Sequence, residues 1–227
     1  MNLPEPYWQD KARGLRIFLG DCRNLLPCFA DGEFASVICD PPYGIGKKEY
    51  LDVPPDSAIL KECLRVSGGT VVMWGGAPVR SQLCFLGLEP PPDRTLVWAP
   101  AFSLAGTTSN GIVWKWHPVY CWRLPRNNSE IDVDVMRDSC DGFRKGFSHC
   151  SARPERIMLR LLRAFGGTSV LDPYLGSGTT LAACAKLGIP GTGIERELKY
   201  VEMAKARLSE DMTYGEANLF NREQEAP

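Results

Sequence analysis

No run of about 18 apolar residues interrupts this sequence, so it predicts no transmembrane helix. It has no Cys-x-x-Cys pair. Its nine cysteines, an odd number spread from Cys22 to Cys184, fit neither a secreted disulfide framework nor a zinc ribbon. The expectation is reduced thiols in the cytoplasm and no metal site. Met1 to Arg13 mixes Pro, Asp, Glu and Lys without an apolar centre, unlike a signal peptide. There is no internal repeat. An excess of one charge is also missing: 26 basic residues face 27 acidic ones, for a net charge of −1. That excludes a general nucleic-acid coat and confines any nucleic-acid contact to a local basic face.

What is present is an ordinary globular composition, 44% apolar and 23% charged over 227 residues. That suits one α/β domain, expected over residues 14–210, with a polar tail at 211–227 that frays. Short apolar runs predict strands at Arg16–Leu19, Ala35–Cys39, Thr70–Trp74, Thr95–Trp98, Pro118–Trp122, Ser169–Leu171 and Gly191–Ile194. Val37 to Cys39 and Val71 to Trp74 are apolar at every position, as strands covered on both faces are, so the sheet should be mostly parallel. Helices are predicted from Pro154 to Phe165, from Gly178 to Leu187 with Gly188 as the stop, and from Glu197 to Leu208. In the last of these, Leu198, Val201, Ala204 and Leu208 are expected on one buried face. Two stretches, 101–117 and 124–148, lack periodicity; loops that long in a compact domain are usually kept for function.

Two motifs carry chemistry. Asp40-Pro41-Pro42-Tyr43-Gly44 follows the Val37–Cys39 run and so stands at the carboxyl end of a strand. The prolines fix φ and remove two amide donors, which leaves carbonyl acceptors in a stiff turn. With the Asp40 carboxylate and the Tyr43 ring, this set suits a planar group that bears an NH₂. The second motif is Asp172-Pro173-Tyr174-Leu175-Gly176-Ser177-Gly178-Thr179, a strand-to-helix turn in which Gly176 and Gly178 permit positive φ and a close ligand. Glu195 ends the next strand, a place where a carboxylate commonly binds ribose hydroxyls.

In this order the two motifs resemble the amino-methyltransferases of DNA, specifically the permuted beta class, with phage adenine methyltransferases closest in size. The resemblance covers roughly Arg16 to Leu208. It implies a doubly wound, seven-stranded, Rossmann-like α/β sheet in circularly permuted order. It implies S-adenosyl-L-methionine as cofactor and adenine N6 in DNA as target. Asp40, Pro41, Pro42 and Tyr43 become the catalytic set: Asp40 and the Pro41 carbonyl accept from the target NH₂, and Tyr43 stacks on the base. Cofactor contacts fall on Asp21, Cys22, Asp40, Asp172, Pro173, Tyr174, Gly176, Ser177, Gly178, Thr179, Glu195 and Arg196. The family's His-Pro-Thr-Gln-Lys-Pro-like segment reads His149-Cys150-Ser151-Ala152-Arg153-Pro154 here, and adds Ser151 and Arg153. Cys150 and Ala152 depart from that pattern.

A base inside a duplex cannot reach such a pocket and must be flipped out. Between Gly142 and Arg163, Arg144, Lys145, Arg153, Arg156, Arg160 and Arg163 face one acid, Glu155. Trp114, Trp116, His117, Trp122, Arg123 and Arg126 interleave aromatics with bases, which suits stacking beside phosphates. The expected DNA contacts are therefore Trp116, His117, Arg123, Arg126, Arg144 and Lys145. The two irregular stretches are the expected target-recognition insertions; because both are short, a homodimer sharing recognition is a further expectation. Cytosine N4, an RNA or tRNA amino group, and a catalytically silent nucleic-acid-binding fold stay open as alternatives.

Overall fold

The computed structural model describes residues 3–46, 52–100, 116–125, 135–138 and 155–209. Val37, Ile38 and Cys39, like Val71 to Trp74, have no solvent exposure, as strands packed on both faces require. In chain order the strands are β1 (Trp8–Asp10), β2 (Leu15–Leu19), β3 (Ser36–Cys39), β4 (Val71–Trp74), β5 (Arg94–Pro100), β6 (His117–Trp122), β7 (Val135–Asp138), β8 (Val170–Asp172) and β9 (Gly191–Glu195). The helices are α1 (Cys22–Leu25), α2 (Ser57–Val66), α3 (Val79–Leu86), α4 (Glu155–Phe165), α5 (Thr179–Leu187) and α6 (198–209). None of them is long and apolar enough to cross a membrane.

The strands form one sheet in the order β1-β2-β9-β8-β3-β4-β6-β5-β7. Among the described strands, β1 and β6 alone run against the others. The expected mostly parallel sheet is thus present, and all seven predicted strands fall within it. β8 and β9, from the end of the chain, sit between β2 and β3, from its beginning. This is the permuted order that the motifs imply.

Two strands lie outside the prediction, β1 and β7. Among the described strands, β1 is polar, lies at one edge and pairs only with β2; β7 lies at the other edge and pairs only with β5. Edge strands of this kind lack the all-apolar signature by which buried strands are read. Helices α2 and α3 are further additions. In α2 the sequence carries a signal: Asp56 accepts from the Ile59 amide as N-cap, and Ile59, Leu60, Cys63 and Leu64 are buried at helical spacing.

The predicted stripe of α4 is buried as expected: Ile157, Met158, Leu161, Leu162 and Phe165. α4 packs on α5, and Glu155 pairs with Lys186 at 2.5 Å. In α6, Val201, Ala204 and Leu208 are buried, but Leu198 is 50% exposed. Leu198 opens the helix, and the buried stripe starts one turn later.

Gly178 caps α5 with φ +82°, and a Cβ there would lie 2.8 Å from the Ala204 Cβ and 3.0 Å from its Cα. The glycine is therefore needed for the contact between α5 and α6. Arg207 reinforces the contact by donating from Nη1 to the Thr179 Oγ1 at 2.5 Å. Gly188 ends α5 at φ +66° with nothing within 4 Å of its would-be Cβ. Gly188→Ala should cost only the left-handed penalty, about 1–2 kcal/mol. Gly178→Ala should add an overpacking cost of about 1–3 kcal/mol. Urea unfolding of the two variants beside the wild type measures the difference; equal losses would show that α6 yields without strain.

Candidate active site

The site is set by where the sheet changes direction of progress. β3 and β8 are parallel neighbours, with Val37 beside Leu171 and Ser36 beside Val170. From β3 the chain proceeds to β4 on one side; from β8 it proceeds to β9 on the other. A crevice opens at the carboxyl ends of two strands so arranged. The first motif begins at Asp40, just after β3, and the second at Asp172, the last residue of β8. The fold thus brings together the two segments that the sequence singled out.

Asp172 is 2% exposed and accepts from the Tyr174 amide at 2.9 Å. Burial pushes its carboxyl up to about 7, against the pull of hydrogen bonds from the Thr180 hydroxyl and the Tyr174 amide; the charges of Asp40 and Glu195 push the same way as burial. Glu195, the last residue of β9, is buried as well. Its Oε2 accepts from the Gly176 amide at 2.9 Å and its Oε1 from the Glu197 amide at 2.8 Å. Burial raises its pKa, and these amide hydrogen bonds hold it down. The glycine turn and the Glu195 carboxylate are therefore one hydrogen-bonded unit.

On the β3 side, the Tyr43 hydroxyl donates to the Asp40 carboxylate. The Tyr43 ring is 8% exposed and meets Phe85 edge-on at 6.4 Å. In this arrangement the ring orients Asp40, and stacking on a base would first require the ring to be uncovered. A single carboxylate that the sequence motifs do not mark, Asp52, takes the amides of Tyr43, Gly44 and Ile45 at 3.0, 2.8 and 2.7 Å.

A cleft of about 300 Å³ opens over these strand ends. It is lined by Gly20, Asp21, Cys22 and Arg23 after β2, by Pro173 and Tyr174 after β8, and by Ile194, Glu195 and Arg196 of β9 and its end. Pro42 and Val53 close the side nearest Asp40. Asp21 is also the N-cap of α1, accepting from the Arg23 amide at 2.9 Å. Of the residues expected at a cofactor, Asp21, Cys22, Pro173, Tyr174, Glu195 and Arg196 line the cleft, and Gly176 reaches it through Glu195. Ser177, Gly178 and Thr179 do not line it: Ser177 and Thr179 are buried, and Gly178 and Thr179 serve the contact with α6. Ser151 and Arg153 lie outside the described residues. Arg23, Val53 and Ile194 were not anticipated: no motif marks them, and Val53 comes to the cleft on the loop that carries Asp52.

The expected DNA contacts divide. Trp116 and His117 stand at the start of β6, which runs antiparallel to β4, and so at the same end of the sheet as Asp40. His117 stacks on Trp98 at 5.2 Å between ring centres. Burial lowers its imidazole pKa, and the nearby Asp40 charge opposes this. Arg123 does not join them. It follows the other end of β6, and its Nη1 donates to the Leu64 and Ser67 carbonyls at 2.8 and 3.1 Å, closing the end of α2. Trp122 is core, donating from Nε1 to the Pro90 carbonyl at 2.9 Å. Arg126, Arg144 and Lys145 lie outside the described residues, as do most of the two expected recognition stretches. Among the described residues no group of His, Cys, Asp and Glu could hold a metal ion, and seven cysteines are free thiols.

Comparison with known proteins agrees with this arrangement. Residues 97–206 match the N6/N4 family model described as DNA methylase. A type II methyltransferase of Lactococcus lactis subsp. cremoris, M2.LlaDCHI, is 39% identical over 69 residues, 30% of this chain and 26% of that one. M.HpaI of Haemophilus parainfluenzae is 39% identical over 74 residues, 32% of this chain and 23% of that one. The matched stretch thus spans about a quarter of these relatives. In structure, M1.HpyAVI superposes with a TM-score of 0.62 at 18% identity, covering 86% of this chain and 98% of that chain. The PvuII DNA methyltransferase, described as cytosine-N4-specific, gives 0.65 at 14% identity and 86% coverage of both. A putative DNA modification methylase of Thermus thermophilus, complexed with S-adenosyl-L-methionine, gives 0.57 at 20% identity, covering 86% of this chain and 94% of that one. At these identities the superpositions speak for the fold alone; in sequence the chain is similar to DNA methylases of the N6/N4 type over residues 97–206 and to type II methyltransferases over about a third of its length.

Proposed function

We propose that the protein transfers a methyl group from S-adenosyl-L-methionine to an exocyclic amino nitrogen of a base in DNA, with adenine N6 as the target. The observation that carries this reading is the meeting of Asp40-Pro41-Pro42-Tyr43 with the Asp172–Gly178 turn across one switch point, beside a cleft rimmed by Asp21 and Glu195. The donor set fits the cofactor. A ligand with a sulfonium charge, an ammonium charge and two ribose hydroxyls suits a cleft lined by the Asp21 and Glu195 carboxylates, with the buried Asp172 carboxyl next in the chain to the lining Pro173. Glu195, already fixed by two amides, would hold the ribose. M1.HpyAVI has also been solved in complex with this cofactor.

The bound cofactor supplies the activated methyl group. The chain supplies position and electrostatics. Asp40 and the Pro41 carbonyl accept from the target NH₂ and turn the nitrogen lone pair out of conjugation with the ring. Tyr43 fixes Asp40. The prolines keep the acceptor pair rigid, so little reorganisation accompanies reaction. The target base has to leave the duplex to reach Asp40. Trp116 and His117, at that end of the sheet, are the residues expected to meet it, and the short stretches expected to recognise the target, 101–117 and 124–148, suit a target of few base pairs or a homodimer. The free thiols suit the cytoplasm. Adenine over cytosine rests on Asp40, where N4-acting family members more often carry Ser.

Purified protein, duplex DNA and labelled cofactor test the reading. Methyl label should enter the DNA, and mass spectrometry of its nucleosides should show N6-methyladenine; N4-methylcytosine would correct the target while keeping the chemistry. Asp40→Ala should lower transfer by roughly 10²-fold or more, and undiminished transfer would remove Asp40 from the reaction.

A second outcome concerns pH. Asp172 is pushed up to about 7, so it is largely protonated at pH 6 and ionised at pH 8. A cationic ligand favours the ionised form, so the affinity for S-adenosylmethionine should increase as pH rises from 6 to 7.5. Asp172→Asn should flatten that dependence. Calorimetric titrations across this range provide the measurement; identical pH profiles for the two proteins would separate Asp172 from the ligand's charge.

A further inference from the structure

The prolines of the catalytic loop explain only its first half. Pro41 and Pro42 fix φ and have no amide hydrogen, so the first amides after Asp40 belong to Tyr43, Gly44 and Ile45. All three donate to the Asp52 carboxylate, at 3.0, 2.8 and 2.7 Å. Three successive amides converge on one anion only when the backbone curls, and Gly44 supplies the curl with φ +68°. A Cβ on Gly44 would come within 3.1 Å of Pro54, so the segment carrying Asp52 is seated directly on the loop. The next residue, Val53, lines the cleft.

The Tyr43 amide is held by Asp52, while the Tyr43 hydroxyl donates to Asp40. A path of hydrogen bonds therefore runs from Asp52 through Tyr43 to the carboxylate expected to meet the base. Hydrogen bonds to an ionised acceptor are roughly twice as strong as neutral ones, so three of them make a rigid anchor. We propose that Asp52 is a positioning residue for methyl transfer: it fixes the Asp40–Ile45 loop and acts on Asp40 through Tyr43. This rests on the reading of that loop as the base-accepting site.

The test uses the full chain and the variants Asp52→Ala, Asp52→Asn, Tyr43→Phe and the double variant Asp52→Asn/Tyr43→Phe. For each, single-turnover methylation of DNA, calorimetric affinity for S-adenosylmethionine and the thermal midpoint are measured. Misplacing a catalytic group by about 1 Å can cost roughly 10²-fold in rate, and a loss of that order is expected for Asp52→Ala. Cofactor affinity should change by no more than a few-fold. Asp52→Asn, which keeps one acceptor oxygen, should recover part of the rate. The double variant should be no slower than the slower of its two parents, because both act on one path.

An Asp52→Ala protein that binds cofactor and methylates at the wild-type rate overturns the positioning role. Losses that multiply in the double variant overturn the path through Tyr43, and a rate that falls only in step with cofactor affinity or thermal midpoint assigns Asp52 to the cleft or the fold instead. Should Asp52→Ala fail to fold, the asparagine variant and the double variant still decide. A wild-type chain that methylates no nucleic acid overturns the reading of the loop, and the positioning role with it; an active wild type beside an undiminished Asp52→Ala overturns the positioning role alone.

Discussion

The pairing of β3 with β8 is the contact on which the site depends. It joins a strand from the first fifth of the chain to one near its end, and closing so long a loop has an entropic cost that grows only as the logarithm of its length. What repays it is burial. Val37, Ile38, Cys39, Val170 and Leu171 have no exposure at all. The polar groups that enter with them are satisfied: the Ser36 hydroxyl donates to the Gly166 carbonyl at 3.0 Å, and the Ala35 amide to the Ser169 hydroxyl at 3.0 Å. Register is fixed because every residue of both strands is covered, so a slip would displace side chains from the core. Were the register to shift, Asp40 and Asp172 would no longer end their strands side by side.

That closeness creates an electrostatic problem which the site turns to use. Burial raises the affinity of both Asp172 and Glu195 for a proton, and at Asp172 the charges of Asp40 and Glu195 push the same way. Each carboxylate receives hydrogen bonds from groups the fold cannot easily move: the Tyr43 hydroxyl at Asp40, the Tyr174 amide and Thr180 hydroxyl at Asp172, the Gly176 and Glu197 amides at Glu195. A crevice poised in this way has a standing preference for a positive ligand. A cationic cofactor would relieve the repulsion, so the same interactions that crowd the carboxylates together would reward its binding.

The core of this fold is legible in the sequence because buried parallel strands are apolar at every position. The two motifs are legible because proline and glycine constrain backbone in ways that few other residues do. What is not legible falls into two kinds. β1 and β7 are edge strands without that apolar signature, and the exposed Val79, Leu83 and Leu86 of α3 lie at helical spacing on the face away from the core, against the usual sense of such a stripe. The second kind is contact between segments. Nothing in Asp52 announces that it gathers three amides of the Tyr43 loop, since the partners are seven to nine residues away. The motif marks Gly178 as a conformational necessity but not as a packing contact, because its neighbour Ala204 comes close only when α6 is placed.

Strand direction explains the fate of the aromatic and basic cluster around β6. In sequence, Trp116, His117, Trp122 and Arg123 are one group. In an extended strand, however, the path from His117 to Arg123 spans roughly 20 Å. β6 is antiparallel to β4, with Trp74 opposite Val119 and Val71 opposite Trp122. His117 therefore projects past the carboxyl end of β4, level with the Asp40 loop, and Arg123 past its amino end, where it closes α2. A parallel β6 would have exchanged these positions and set the arginine beside the site. The antiparallel strand thus parts the two halves of the cluster: it holds Arg123 at the far end of the sheet and brings the Trp98–His117 stack to the Asp40 end. The aromatic half of the cluster, not the basic half, therefore stands at the Asp40 end of the sheet.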